Sequence, residues 1–179
     1  MDPEFHILSG VNKFVVGCFK ATLTTDAPVE RPFVSTEFGY KTADGVLTIS
    51  QGNTVIEKQG SGFYYLDSLT PGANIVVSAS GSNVVSYVFR NAMGTSNAEV
   101  VAVTSQLQLP SKCYAIIADG TFDVTSANSV VRVGNTQTQL SNNTMSVNAA
   151  DFVSLTAFDD QTTIAGNGNV IILTKVTNA

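Results

Sequence analysis

The chain holds one histidine, no tryptophan, two cysteines and five prolines in 179 residues, and only 13% of it is charged. Each scarcity removes a class of chemistry. His6, the sole histidine, lies beside a segment that reads as foreign, so Ser-His-Asp, Cys-His and His-ligated metal sites find almost no support. The chain is expected not to be an enzyme. No tryptophan is present to stack a sugar ring, and a glycosidase pair such as Glu99 with Asp151 is given little weight. Cys18 and Cys113 sit in apolar, strand-like contexts (FVVGCFKATL and SKCYAII) without any pattern of activation. A single disulfide and two buried thiols stay equally open. A net charge of −5 provides no basic stripe, which speaks against nucleic acid as a partner. No apolar run approaches the ~20 residues that a bilayer-crossing helix needs, so membrane insertion is not expected.

What remains is a chain rich in Ser, Thr, Asn, Gly and Val, with 44% hydrophobic residues. Hydroxyls and amides would cover its surface, as is common in extracellular β-modules and virion components. Met1-Asp2-Pro3-Glu4-Phe5 can be encoded by two common cloning sites back to back and reads as a vector scar. The natural segment is expected to begin near His6, inside a longer protein, and to form one domain over 6–179.

Short alternating runs recur along it. In Lys13 to Thr24 both faces are fairly apolar, and the prolines of Thr25 to Pro32 rule out a central strand there. Phe33 to Tyr40 is expected to be irregular, and Gly81-Ser82 to turn a tight hairpin. Asp119-Gly120 reads as a turn, and the Gly-bearing segment Asn167-Gly168-Asn169 as a loop before the apolar run Val170, Ile171, Ile172, Leu173. No window of ten or more residues shows a capped 3.6-residue period. The predicted architecture is all-β, a two-sheet antiparallel jelly-roll sandwich of about ten strands with little or no helix.

Four segments carry a resemblance. Cys18-Phe19-Lys20-Ala21 is followed by a crossover bearing Pro28 and Pro32; Gly60-Ser61-Gly62-Phe63-Tyr64-Tyr65-Leu66 is similar to a Gly-x-Tyr-x-Phe strand. Ala149-Ala150-Asp151-Phe152-Val153-Ser154-Leu155 is similar to a Gly-Asp-x-Val-x-Leu strand, and Ile171 to Val176 to a closing inward-facing strand. Together they resemble the globular heads of the complement and tumour-necrosis-factor (TNF-like) superfamily. The Gly-Phe-rich segment that precedes the last strand in that family is replaced here by Ala165 to Asn169, and Asn91 to Val133 aligns poorly. The resemblance implies a ten-stranded jelly roll that self-associates, usually as a trimer, at the tip of a stalk, and binds a host-cell or surface receptor, protein or glycan. A five-fold viral capsid or spike jelly roll and a carbohydrate-binding or carbohydrate-active sandwich are the alternatives. The expected location is extracellular, or exposed on a virion or cell surface.

Strands apolar on both faces would need cover from identical neighbours. Phe14, Val16, Phe63, Tyr65, Ile171 and Leu173 are therefore the expected oligomer interface. The loop residues Asn135, Gln137, Asn142, Asn143 and Gln161 are candidates for ligand recognition. Asp159 and Asp160 form the one paired-carboxylate loop and could hold calcium together with loop carbonyls, although a solvated loop tip is favoured. No other cofactor is expected.

Overall fold

The computed structural model describes residues 5–11, 14–25, 27–34, 37–81, 84–90 and 96–175, and among these every regular element is a strand. In chain order they are β1 (Phe5–Val11), β2 (Phe14–Leu23), β3 (Val29–Pro32), β4 (Phe38–Lys41), β5 (Val46–Gln51), β6 (Thr54–Gln59), β7 (Gly62–Tyr65), β8 (Asn74–Ser80) and β9 (Val84–Arg90). There follow β10 (Ser96–Val103), β11 (Gln106–Gln108), β12 (Cys113–Ser126), β13 (Ser129–Val133), β14 (Thr136–Leu140), β15 (Asn143–Asn148), β16 (Val153–Ala157) and β17 (Thr162–Lys175). The all-β expectation holds, with antiparallel sheets throughout, but the described strands number seventeen rather than about ten. Within 6–179 the contacts fall into two compact units, one of residues 17–93 and one of 6–16 with 94–179.

In the first unit, strands in the order β2-β9-β4-β7 form one sheet and β3-β8-β5-β6 the other. From β2 to β9 the chain changes sheet at every step except the β5–β6 hairpin, which is a jelly-roll path. Alternation builds the core between them. Leu47 and Ile49 of β5, Ile75 and Val77 of β8, and Leu23, Tyr64 and Val84 from the opposite sheet pack together with Phe33, Leu66 and Leu69. Pro32 ends β3, an edge strand, as the prolines require. The expected hairpin at Gly81 is absent because β8 and β9 belong to different sheets. The stretch expected to be irregular ends in β4, which pairs with both β9 and β7.

The second unit is organised by two fourteen-residue strands, β12 and β17, paired from Tyr114–Leu173 to Ser126–Thr162. β17 also takes β10 along one half and β11 along the other. The opposite edge of β12 pairs first with β16 and then with β15, and β16 continues to β13 and β14. Inward residues of these strands, among them Ile117, Phe122, Val131, Leu155, Ile164 and Ile172, make one apolar core.

Asp119-Gly120 and Asn167-Gly168-Asn169, expected as a turn and a loop, instead lie inside β12 and β17 at a register shift between Ile117 and Asp119. Gly120 (φ +96°) and Gly168 (φ +150°) face the opposing backbone so closely that a Cβ on either would collide with a carbonyl oxygen. The Asp119 carboxylate accepts from the Asn169 backbone N–H at 2.9 Å and from Asn169 Nδ2 at 2.7 Å. Polar and glycine residues thus bend two continuous strands instead of ending them.

Candidate functional site

Registers in the second unit set side chains in rows. β16 pairs with β13 and β13 with β14 so that Ser154, Arg132 and Gln137 are cross-strand neighbours, as are Thr156, Val130 and Gln139 in the next row. Because Val131, Val153, Leu155 and Ala157 face the core, strand alternation turns these two rows to the other face. β1 lies along it. The result is a groove of about 210 Å³ lined by Ile7, Leu8 and Ser9 of β1, by Val130, Arg132, Gln137, Ser154 and Thr156 of the sheet, and by Phe158. Gly10 has φ +103°, and a Cβ there would press on the Phe158 ring at 3.2 Å, so glycine lets this aromatic close one side.

His6 anchors β1 to the sheet. Its ring is buried, stacked on Phe152 with centroids 3.8 Å apart and planes 9° from parallel. Nε2 lies 2.7 Å from the Gly134 carbonyl oxygen and Nδ1 lies 2.7 Å from Ser154 Oγ. A carbonyl can only accept, so Nε2 carries the proton and donates it. Burial lowers the imidazole pKa to about 4; the Gly134 carbonyl pulls it back up, and the Arg132 charge pushes it down again. The ring is neutral at physiological pH.

Arg132 is the one charged residue of the lining. Among the described residues no carboxylate lies within ion-pair distance of it; the ion pairs found join Glu37 to Arg31 at 3.0 Å and to Arg90 at 3.8 Å. That second group pairs its own charges. In the first unit Glu37 also accepts from the Val34 N–H at 2.8 Å, and both guanidinium groups lie over the Phe19 ring. Buried Lys41 likewise donates to the Thr42 and Gly60 carbonyls, each at 2.9 Å.

Of the recognition residues expected from sequence, Gln137 alone lines the groove. Asn135 is in the β13–β14 turn, Asn142 (φ 58°) and Asn143 turn β14 into β15, and Gln161 precedes β17. In the Asp159-Asp160 loop, Asp159 Oδ1 accepts from the Gln161 N–H at 2.9 Å, which closes a local turn. Among the described residues no three His, Cys, Asp or Glu side chains converge on a metal position.

The expected interface residues are placed differently. Val16, Ile171 and Leu173 are fully buried within the single chain and offer no surface, Phe63 is half-buried against Phe38 and Tyr40, and Tyr65 is 56% exposed. The side chain of Phe14 lies outside the described residues. An apolar surplus needing a second copy is therefore not found at the last strand. Cys18 and Cys113 are free, buried thiols.

Sequence reading missed His6, Arg132, Ser154 and Thr156. A signal was present: in SVVRV and VSLTA the alternation sets Arg132, Ser154 and Thr156 on the faces opposite the core valines and leucine. No local pattern could show that β1, more than a hundred residues away, would lie over them.

No family model matches the chain, and no curated protein matches it. Solved structures do. The chain is similar to protein Ylba from E. coli, of family DUF861, at 12% identity and a TM-score of 0.52, over 100% of this chain and 87% of that one. It also aligns with a putative glyoxylate induced protein from Pseudomonas aeruginosa (12% identity, TM-score 0.48, 100% of this chain and 84% of that one). A cupin 2 conserved barrel domain protein from Leptotrichia buccalis follows (12% identity, TM-score 0.35, 97% and 89%). At these identities the likeness is one of fold, and only the first is close enough to carry weight.

That likeness corrects the resemblance to complement and TNF-like heads. One head jelly roll would absorb all four landmark segments in a single pair of sheets. Here residues 17–93 complete a jelly roll alone, with Phe63 to Tyr65 in it, while Val153 to Leu155 and Ile171 to Leu173 belong to the other unit. The fibre-tip attachment head and the viral capsid or spike fall with that resemblance.

Proposed function

We propose that this chain is a small-molecule-binding protein whose groove between β1 and the β16-β13-β14 sheet takes a small organic carboxylate. The observation that carries it is Arg132: in a chain of net charge −5, the groove's sole charge is a cation with no acidic residue in the lining. A guanidinium fork matches a carboxylate and binds it through charge-assisted hydrogen bonds. Ser9, Gln137, Ser154 and Thr156 supply further polar groups, and Ile7, Leu8, Val130 and Phe158 an apolar wall. At about 210 Å³ the space is smaller than the ~300–1,000 Å³ that holds drug-sized ligands, which favours a ligand of a few carbon atoms.

Binding rather than turnover is supported by His6. Held near pKa 4, oriented by a carbonyl instead of a carboxylate and facing the Arg132 charge, it is a weak base toward Ser154. The test is titration with acetate at fixed ionic strength, followed by backbone amide shifts. Residues of β13, β14 and β16 are expected to move with a dissociation constant of about 1 mM or tighter, and Arg132→Gln to weaken binding ~10-fold or more. Wild-type spectra unchanged at ~50 mM acetate would refute the proposal.

A further inference from the structure

Ser154 lines the groove, yet its hydroxyl proton is already committed. The Gly134 carbonyl fixes N–H at Nε2 of His6, which leaves Nδ1 as a lone pair facing Ser154 Oγ at 2.7 Å. Two acceptors cannot share that contact, so the hydroxyl donates to Nδ1. Toward the groove, Ser154 Oγ can therefore offer only lone pairs. Arg132 is its register partner across the β13–β16 pair, with Cβ atoms of such neighbours ~4.5–5.5 Å apart, and a guanidinium offers only donors. Adjacent side chains thus make opposite demands of one ligand: an anionic acceptor for Arg132 and a hydrogen-bond donor for Ser154.

A hydroxyl meets the second demand better than an ammonium group. The lining holds no Asp or Glu to balance a second cation, and Arg132 would repel it. Building on the carboxylate groove proposed above, we infer that the site selects small hydroxycarboxylic acids over plain carboxylates and amino acids, with Ser154 as the specificity-determining acceptor and His6 as its positioning residue. A buried acceptor left without a donor is costly, so the plain acid is penalised as well as deprived of a bond. The apolar wall accommodates a short alkyl substituent.

Glycolate, acetate and glycine differ at the one position that matters and are the probes. Wild-type protein is expected to bind glycolate ~10-fold more tightly than acetate, and glycine more weakly than glycolate. In Ser154→Ala the glycolate-to-acetate ratio should fall to about one. Equal wild-type affinities for glycolate and acetate would overturn the selectivity and leave the carboxylate site standing; binding of neither would overturn both. A second measurement needs no variant. His6 is the only histidine, so its imidazole ¹⁵N shifts report the tautomer without overlap. A proton on Nδ1 would free the Ser154 hydroxyl to donate and would overturn the inference.

Discussion

Acid should unfold this protein partly through one imidazole. His6 is buried and its pKa is lowered from 6.5 to about 4, chiefly by desolvation. In the unfolded chain the ring takes up a proton near pH 6.5; in the folded chain it stays neutral until about pH 4. Falling pH therefore favours the unfolded state, and the stability tied to the neutral ring is fully present above pH 6.5 and lost between 6.5 and 4. At ~1.4 kcal/mol per pKa unit, and allowing for water reaching the groove side of the site, the loss is about 2 kcal/mol by pH 4.5. The direct assay follows the His6 ring C–H resonances with pH, where a midpoint near 4 is expected. Carboxylates also titrate in this range, so the linkage is measured as a difference: urea unfolding of the wild type against His6→Gln, at pH 7 and 4.5. The variant should be less stable at pH 7 and close much of the gap at pH 4.5. A ring midpoint near 6.5, or two stability profiles that run parallel, would refute the buried neutral ring and with it the assigned tautomer.

Three further outcomes are expected. Gly39 lies under the Tyr64 ring, which is held by a 2.6 Å hydrogen bond to Ser86, so Gly39→Ala would drive a methyl into the ring. It should cost about 2–3 kcal/mol by urea unfolding, against about 1 kcal/mol for Tyr64→Phe. Gly120→Ala combines a left-handed backbone with a collision against Asn167, and should lower stability by more than ~3 kcal/mol or prevent folding of the second unit. Burial raises the thiol pKa of Cys113 to about 12 and that of Cys18 well above its ordinary value, so Ellman's reagent should find no reactive thiol in native protein at pH 8 and two per chain in denaturant.

Much of the fold was legible. Strand alternation in Val46 to Ile49 and Asn74 to Val77 specified which side chains enter the first core, and proline confined Val29–Pro32 to an edge. Less legible was where strands continue. Glycine and asparagine end a strand in most contexts, so Gly120 and Gly168 looked like turns, whereas two strands crossing at close range need the same residues to bend without breaking. Apolar runs misled in the same way. Val170 to Leu173 is greasy on both faces because both are covered within the chain, not because a second copy must cover one. The candidate site is half visible: Arg132 among valines marks a polar face, but His6, which bonds Ser154, is discounted for the company it keeps in sequence.

β17 is the shared neighbour of β10, β11 and β12. As the ribosome delivers the chain, residues 17–93 can fold as soon as they emerge, whereas β10 and β11 have nothing to zip onto, and one edge of β12 stays open, until residues 162–175 exist. Nascent chains halted before β17 should therefore expose a folded first half trailing a sticky, chaperone-seeking remainder in which β10, β11 and one edge of β12 stand open.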